Sequence, residues 1–427
     1  MIKNFRNYYN KEILIKILFY IYPLVMLRQS TYITVYVTFL TIFSFYFFYK
    51  NRIKINFFFL DYLVFTILLL AILSTLINVQ KLGYFLLFKS ILDVRFGFLY
   101  LIIRNLFYYK IIKFTPIVIT TCIATIFLSF DIFIQHIYGQ DLLGYKPWND
   151  RYAGIFNDEA IAGSYIQKFA FISIPLILFI KKSNLLKITV ITFLIIILGL
   201  GILMSTDRMP LIIYLMQLLM LIFFANKLKI TYLINFIILF SLIFLIFHNN
   251  KIINKRYESL YSLKDSIISK NINTEELKKN SSTFESFNNS NNYLNIFYTG
   301  YEIWKKNPII GTGVKSFNIS CSEASTANNK LLCSPHAHNL YLEILINTGI
   351  FGILIFIIYI FNMLKDVKSI LSKHNNTIYL YLLIIFIAEL FPFRSYGSIF
   401  QTVNGSMFWY LLALTSVIKF REKLIKY

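Results

Sequence analysis

The polar stretch Ser334-Pro335-His336-Ala337-His338-Asn339 runs directly into LYLEILINTGIFGILIFIIYI, residues 340–360, and that join decides the fold. The second stretch is a membrane-crossing helix by length, because about 18–22 apolar residues in helical form span about 30 Å of hydrocarbon. The first puts imidazole and amide groups where a long polar segment dives back into lipid. Histidine titrates near neutral pH, so a boundary of this kind suits proton handling. Gly349 and Gly352 lie on one face of the helix, where small residues let neighbouring helices approach closely.

Outward from that join, similar apolar runs recur along the whole chain. Spans are predicted near 13–27, 31–49, 57–78, 84–103, 115–136, 161–180, 188–204, 209–225, 230–247, 340–361, 378–391 and 406–418. The fourth is the weakest, since Lys89, Asp93 and Arg95 lie inside it. Apolar residues make up 57% of the 427, charged residues 15%, and mean hydropathy is +0.64. A soluble domain could not hide so much apolar surface. Outer-membrane barrel strands alternate apolar and polar residues, and these runs do not. The expected fold is therefore all-α, a polytopic membrane helical bundle of about 12 transmembrane helices.

The formal charge of +22 would suit nucleic acid, but the basic residues sit between spans, so no nucleic-acid partner is expected. Their placement reports topology instead. Lys50, Arg52 and Lys54, then Lys181, Lys182 and Lys187, then Lys365, Lys368 and Lys373 all fall on one side, as do the basic residues of both tails. Both termini are expected in the cytoplasm. No small-residue cleavage site follows the first span, which reads as a retained anchor.

This divides the chain into an N-terminal bundle of about nine spans (1–247), an outer loop (248–338) and a C-terminal bundle of about three spans (339–427). A loop of about 90 residues is too long for a hairpin and reads as functional. Arg256 to Lys270 has helical composition, and Asn271 to Asn292 reads as a flexible stretch. Leu294, Phe297, Tyr301 and Trp304 then recur at amphipathic-helix spacing. That helix either lies along the bilayer surface or packs on a small core of the loop's own. It stops at Asn307-Pro308, before the turn-prone Gly311-Thr312-Gly313.

Cys321 and Cys333 share this outer loop. On an oxidising side a disulfide between them is expected, contributing about 3 kcal/mol by the chain-entropy argument and tethering Pro335 to Asn339. Free thiols stay open. A zinc site with His336 and His338 is disfavoured, because the spacing matches no familiar zinc pattern. Cys122 sits in a span and reads as packing.

Four outer-side arginines, Arg151, Arg208, Arg256 and Arg394, stand at or near span ends, where positive-inside bias disfavours them. A guanidinium fork suits phosphate, and a pyrophosphate leaving group needs such stabilisation as its bond breaks. Each taken alone could instead snorkel to lipid headgroups or pair with Asp150, Asp158 or Asp207. His338 is the candidate proton acceptor, with Asn339 orienting it or a sugar hydroxyl and His336 secondary. Asp61, Asp93 and Asp131 lie in spans, either marking a pathway or paired inside the bundle.

His338-Asn339, nine residues, Gly349, two residues and Gly352 resemble a signature of the O-antigen ligase family of bacterial inner membranes: His, then Asn, Ser or Gln, nine residues, Gly, two residues, then Gly, Thr or Tyr. Asn307 to Gly313, the segment from Arg151 to Ser164 and the Thr206-Asp207-Arg208 turn are also similar. The resemblance implies an inverting, metal-independent glycosyltransferase with no cofactor and a large periplasmic loop. It implies transfer of an undecaprenyl-pyrophosphate-linked glycan to lipid A-core or another glycan acceptor at the periplasmic face, within membrane lipid. Arg151 and Arg208 would hold the pyrophosphate, and His338 would assist acceptor attack. Some ligases have an arginine before the amphipathic helix, where this chain has Asn291, Asn292 and Tyr293; Arg256 would compensate. Related polymerases share the signature, so a polymerase stays open. A transporter of lipid-linked sugar also stays open, though the long loop and boundary arginines count against it.

Overall fold

In lipid every backbone N–H and C=O must find a partner within the protein, and a helix provides it locally. The computed structural model describes all residues except 1, 29, 158, 181–182, 226–227, 251, 258–294, 326–331, 374–376, 422–423 and 425–427. The described residues contain helices and no strands. In chain order they are α1 (Ile2–Tyr20), α2 (Tyr22–Val25), α3 (Ser30–Lys50), α4 (Phe59–Ile77), α5 (Val79–Leu82), α6 (Tyr84–Leu92), α7 (Val94–Tyr108), α8 (Phe114–Tyr138), α9 (Ala162–Ser173), α10 (Asn184–Met204), α11 (Arg208–Phe224) and α12 (Lys229–Asn249). Two short helices, α13 over 252–257 and α14 over 295–306, precede α15 (Phe317–Ser325), α16 (Leu340–Leu364), α17 (Val367–Lys373), α18 (Ile378–Glu389) and α19 (Thr402–Ser416).

Among the described residues, 7 helical segments are long and apolar enough to cross a membrane: Ser30–Lys50, Phe59–Ile77, Phe114–Tyr138, Ala162–Phe179, Asn184–Met204, Lys229–Asn249 and Leu340–Ser372. α11 and α18 are shorter apolar helices. The all-α polytopic membrane architecture holds. The remaining predicted spans are helical too, but interrupted or short. Pro23 starts α2 just after α1 ends, and the span predicted at 84–103 is two helices meeting at Asp93. Lys89, Asp93 and Arg95 around this joint all lie within the field of Lys315 in the outer loop. One continuous apolar core runs from α1 to α19, with α5, α6, α14 and α15 outside it, while Phe223, Ile230 and Phe361 point outward.

The C-terminal helices thread among the N-terminal ones. α16 lies along α4, α19 packs on α7 and α3, and α18 packs on α9 and α11. Buried polar pairs tie these contacts. Lys168 of α9 meets Glu389 of α18 at 2.6 Å, and Arg394 meets the same carboxylate at 2.8 Å. Asp61 is paired with Arg104 inside the bundle.

Gly349 interrupts α16 with φ 66° and ψ −164°. A side chain there would strike the Ile309 carbonyl. The groups freed by the break are satisfied across it: Ile350 donates to Pro308 O at 2.9 Å and Thr312 to Ile346 O at 2.7 Å. The glycine thus seats the 308–312 turn against a kink rather than simply letting two helices approach. Gly352 makes room for Thr348 of its own helix.

The loop helix α14 buries Ile296, Thr299 and Ile303, a stripe rotated from the predicted Phe297, Tyr301 and Trp304. Tyr298 and Tyr301 are exposed, and Trp304 is partly buried. The buried stripe packs with Phe317, Cys321, Ala337 and Ile346 in a small second core, which is the alternative of a core of the loop's own. Aromatic rings can span the boundary of such a face, whereas β-branched isoleucines fill its interior, and the spacing alone did not separate them. Leu294, and the helical and flexible stretches expected between residues 258 and 292, lie outside the described residues.

Candidate functional site

The site stands at the end of the bundle where α8 finishes and α16 begins, and a loop after α8 builds its first wall. Two α8 side chains hold that loop. Asp131 accepts from Leu142 N at 3.0 Å and Ile155 N at 2.8 Å, while Gln135 accepts from Gly154 N at 2.9 Å. Asp131 is thus an anchor for backbone. At the loop's tip Trp148 and Arg151 exchange backbone hydrogen bonds at 3.0 and 2.9 Å. Asn149 and Asp150 between them have φ of 49° and 58°, the positive values that a tight two-residue turn requires and that Asn and Asp tolerate.

The turn after α10 forms the second wall. Thr206 Oγ1 donates to Asp150 O at 2.8 Å, locking the two loops together. Asp207 accepts from Gly163 N at 3.1 Å, and Gly163 must be glycine because a Cβ would meet the Asp207 carboxylate at 2.8 Å. Burial pushes the Asp207 carboxyl up to about 6, against the pull of Arg151, the Gly163 N–H, Arg256 and Arg208. Arg208 opens α11, and Arg256 lies on α13, after the end of α12. Burial and the like charges of Arg151 and Arg208 lower Arg256 from its usual value, with Asp207 and Asp150 opposing. Three guanidiniums therefore share one field with two carboxylates. Such a cluster attracts an anion with several oxygens.

His338 completes the constellation. Burial and the Arg151 charge hold its imidazole below the usual value, so it is neutral at pH 7 and able to take a proton. Its backbone sits at φ 53°, and its carbonyl accepts from Tyr396 N at 3.0 Å. Asn149, Asp150, Thr206, Lys315 and His338 all have positive φ. Left-handed backbone at non-glycine residues is costly and gathers where a structure over-determines it, as binding sites do.

The residues singled out in the sequence divide accordingly. Arg151, Arg208, Arg256 and His338 come together. Asn339 caps α16 instead: its Oδ1 accepts from Tyr341 N and Leu342 N at 3.0 and 3.1 Å, and its Nδ2 donates to Pro392 O at 2.7 Å. It positions its neighbour His338 through the backbone. Arg394 is only 4% exposed, its guanidinium donating to Glu389 at 2.8 Å and Gln167 at 2.7 Å. It ties α18 to α9 rather than joining the cluster. Cys321 and Cys333 are bonded, with Cα atoms 5.5 Å apart, and Cys122 is a free, buried thiol. Among the described residues no group of His, Cys, Asp and Glu is arranged to hold a metal ion.

Sequence reasoning passed over Glu343 and Lys315. Both line a recess with His336, Asn347, Ser398 and Gln401, next to His338. A signal for Glu343 was present, since a carboxylate inside a membrane helix is expensive and marks function by default. Lys315 offered none, being one lysine among many in a basic chain.

Compared with known families, residues 192–357 match the model described as O-antigen ligase. The resemblance read from the sequence holds over that stretch, which includes Asp207, Arg208, Arg256, the cysteine pair and His338 but not Arg151. No curated protein matches the chain.

Proposed function

We propose, from the premise of that O-antigen ligase match, that the chain is a glycosyltransferase working on a lipid-linked glycan. The donor is undecaprenyl-pyrophosphate-linked O-antigen and the acceptor a hydroxyl of lipid A-core. The observation that carries the reading is the meeting of Arg151, Arg208 and Arg256 around Asp207, with His338 in the field of Arg151. In the proposed step the acceptor oxygen attacks the anomeric carbon from the face opposite the diphosphate. The carbon–oxygen bond to the diphosphate breaks, and configuration inverts. The hydroxyl proton passes to His338, and undecaprenyl pyrophosphate leaves in the grip of the arginines, which stabilise the charge that develops. The arginines supply the positive charge the leaving group needs, so the step uses no metal.

The basic residues between spans support placing the protein in a bacterial inner membrane with both termini cytoplasmic and this site at the periplasmic face. The loop domain (248–338) would then be periplasmic, its disulfide matching that oxidising compartment. Reconstituting the purified protein with undecaprenyl-pyrophosphate-linked glycan and candidate acceptors tests the reading; glycan-bearing lipid A-core is the expected product. A polymerase would do the same chemistry with another lipid-linked glycan as acceptor. A glycan gel of a deletion strain separates the two, since loss of a ligase leaves long unattached chains and loss of a polymerase leaves single repeats. No transfer by the purified protein would favour a transporter.

A further inference from the structure

Charges placed inside a membrane bundle are costly and mark function by default. The ion cluster between α9 and α18 has a connection that fastening two helices does not require. Three hydrogen bonds join the 390–396 segment, which follows α18, to the His338 segment. Tyr396 N donates to His338 O at 3.0 Å, Asn339 Nδ2 to Pro392 O at 2.7 Å and Tyr341 Oη to Leu390 O at 2.6 Å. α9 in turn holds the 390–396 segment. Lys168 Nζ donates to Tyr396 Oη and to Glu389, both at 2.6 Å. Tyr396 Oη donates to Glu389, and Arg394 donates to Gln167 at 2.7 Å. Five residues before Lys168 on the same helix, Gly163 N donates to Asp207 Oδ2 at 3.1 Å, the carboxylate in the field of Arg151, Arg256 and Arg208. Gln167 Nε2 donates to Gln217 at 2.9 Å, tying α9 to α11, the helix that Arg208 opens. At 1.5 Å of rise per residue, about 7.5 Å of helix separates the two attachments. One element therefore reaches both halves of the site.

We propose that Tyr396 is a positioning residue: it couples the His338 backbone to α9, so that α9 sets where the imidazole stands relative to the arginines. The inference rests on the glycosyltransferase reading and deepens it. A helix keeps a fixed length between two attachments, which a loop does not. His338 has φ of 53°, a left-handed backbone that a non-glycine residue keeps only where its surroundings hold it. The Tyr396 N–H on its carbonyl is such a hold. The Tyr396 hydroxyl, gripped by Lys168 and Glu389, keeps that N–H in place. Misplacing a reacting group by about 1 Å can cost about 100-fold in rate. The coupling therefore acts on the chemical step and leaves the donor's own contacts alone.

The test uses purified full-length protein in nanodiscs with undecaprenyl-pyrophosphate-linked glycan as donor, and with lipid A-core or the lipid-linked single repeat as acceptor. Tyr396→Phe removes only the hydroxyl that Lys168 and Glu389 hold. Tyr341→Phe loosens the 390–396 segment from the α16 side and leaves the ion cluster whole. Neither changes a charge, so the groups that face His338 keep theirs: Arg151 through its field and His336 through a ring contact at 4.1 Å. Tyr396→Phe is expected to lower kcat about 10- to 100-fold and Tyr341→Phe about 3- to 10-fold. The donor KM and the thermal stabilisation by undecaprenyl pyrophosphate stay unchanged. A displaced imidazole also loses the burial and the Arg151 field that hold its pKa down, so the acid limb of kcat/KM moves up in pH toward the usual 6.5. A purely structural role would lower the amount of folded enzyme and leave that limb where it was. An unmoved limb in both variants overturns this proposal alone, as does a donor KM that rises with kcat unchanged. Should Tyr396→Phe fail to reach the membrane, Tyr341→Phe decides by the same readout. No transfer by the unsubstituted protein with either acceptor overturns the glycosyltransferase reading, and the positioning role with it.

Discussion

At position 208 a guanidinium stands on the first turn of α11, beside Asp207 and in the shared field of Arg151 and Arg256. If it stabilises a leaving diphosphate, Arg208→Ala lowers kcat by about 100- to 1000-fold while the protein still inserts into the membrane. Arg208→Lys restores little, since an ammonium lacks the paired donors of the fork. Full rescue by lysine in a single-turnover assay would reduce the role to simple charge. His338 makes a separate prediction. Burial and Arg151 both favour its neutral form and place its pKa below the usual 6.5. A base works deprotonated, so kcat/KM holds as pH falls to 6.5 and drops only below it, as the folded-state imidazole protonates. A pH–rate profile whose acid limb lies at or above 6.5 counts against His338 as the proton acceptor. The histidine was legible in the sequence because it abuts a span. That burial, with the Arg151 charge beside it, favours its neutral form was not, because the two residues meet only through the loops after α8 and before α16.

Among the elements, α16 shows how a motif glycine acts. Its kink at Gly349 lets the 308–312 turn dock against freed backbone groups, and the same turn leads into Lys315 of the recess. Gly349→Ala combines a disfavoured positive φ with a side chain striking the Ile309 carbonyl. It is expected to cost about 1–3 kcal/mol, read as a lower unfolding temperature in detergent, with activity falling because the recess shifts. A variant as stable as the unsubstituted protein would mean that the kink relaxes freely. The glycine spacing was readable from sequence, but its reason was not. Close helix approach and a backbone kink both call for glycine, and only the φ in the folded structure separates them. The same limit applied to α14, whose helical period was legible although the choice of buried stripe depended on Phe317 and Cys321 across the loop.

Across the whole molecule, the bundle is fastened by a buried charge cluster that reaches the site through Tyr396, whose N–H donates to His338 O. Lys168, Arg394 and Tyr396 surround Glu389. Glu389→Leu would leave two buried cations without their carboxylate, at a cost of about 3–5 kcal/mol. The expected result is loss of folded protein from the membrane fraction, not a folded, inactive enzyme; a stable but inactive variant would instead give this cluster a part in catalysis. Length and apolarity alone determined that the chain is a helical membrane bundle, because hydrocarbon thickness and the need to pair every backbone group leave a narrow choice. They also located the polar joints where chemistry is possible. Only the packed fold decided which charges meet. Arg256 joins Arg151 and Arg208, whereas Arg394, equally boundary-placed in the sequence, turns to Glu389 and Gln167. The physical reason is range: a span is fixed by its own residues, whereas a site is fixed by how helices hundreds of residues apart pack side by side.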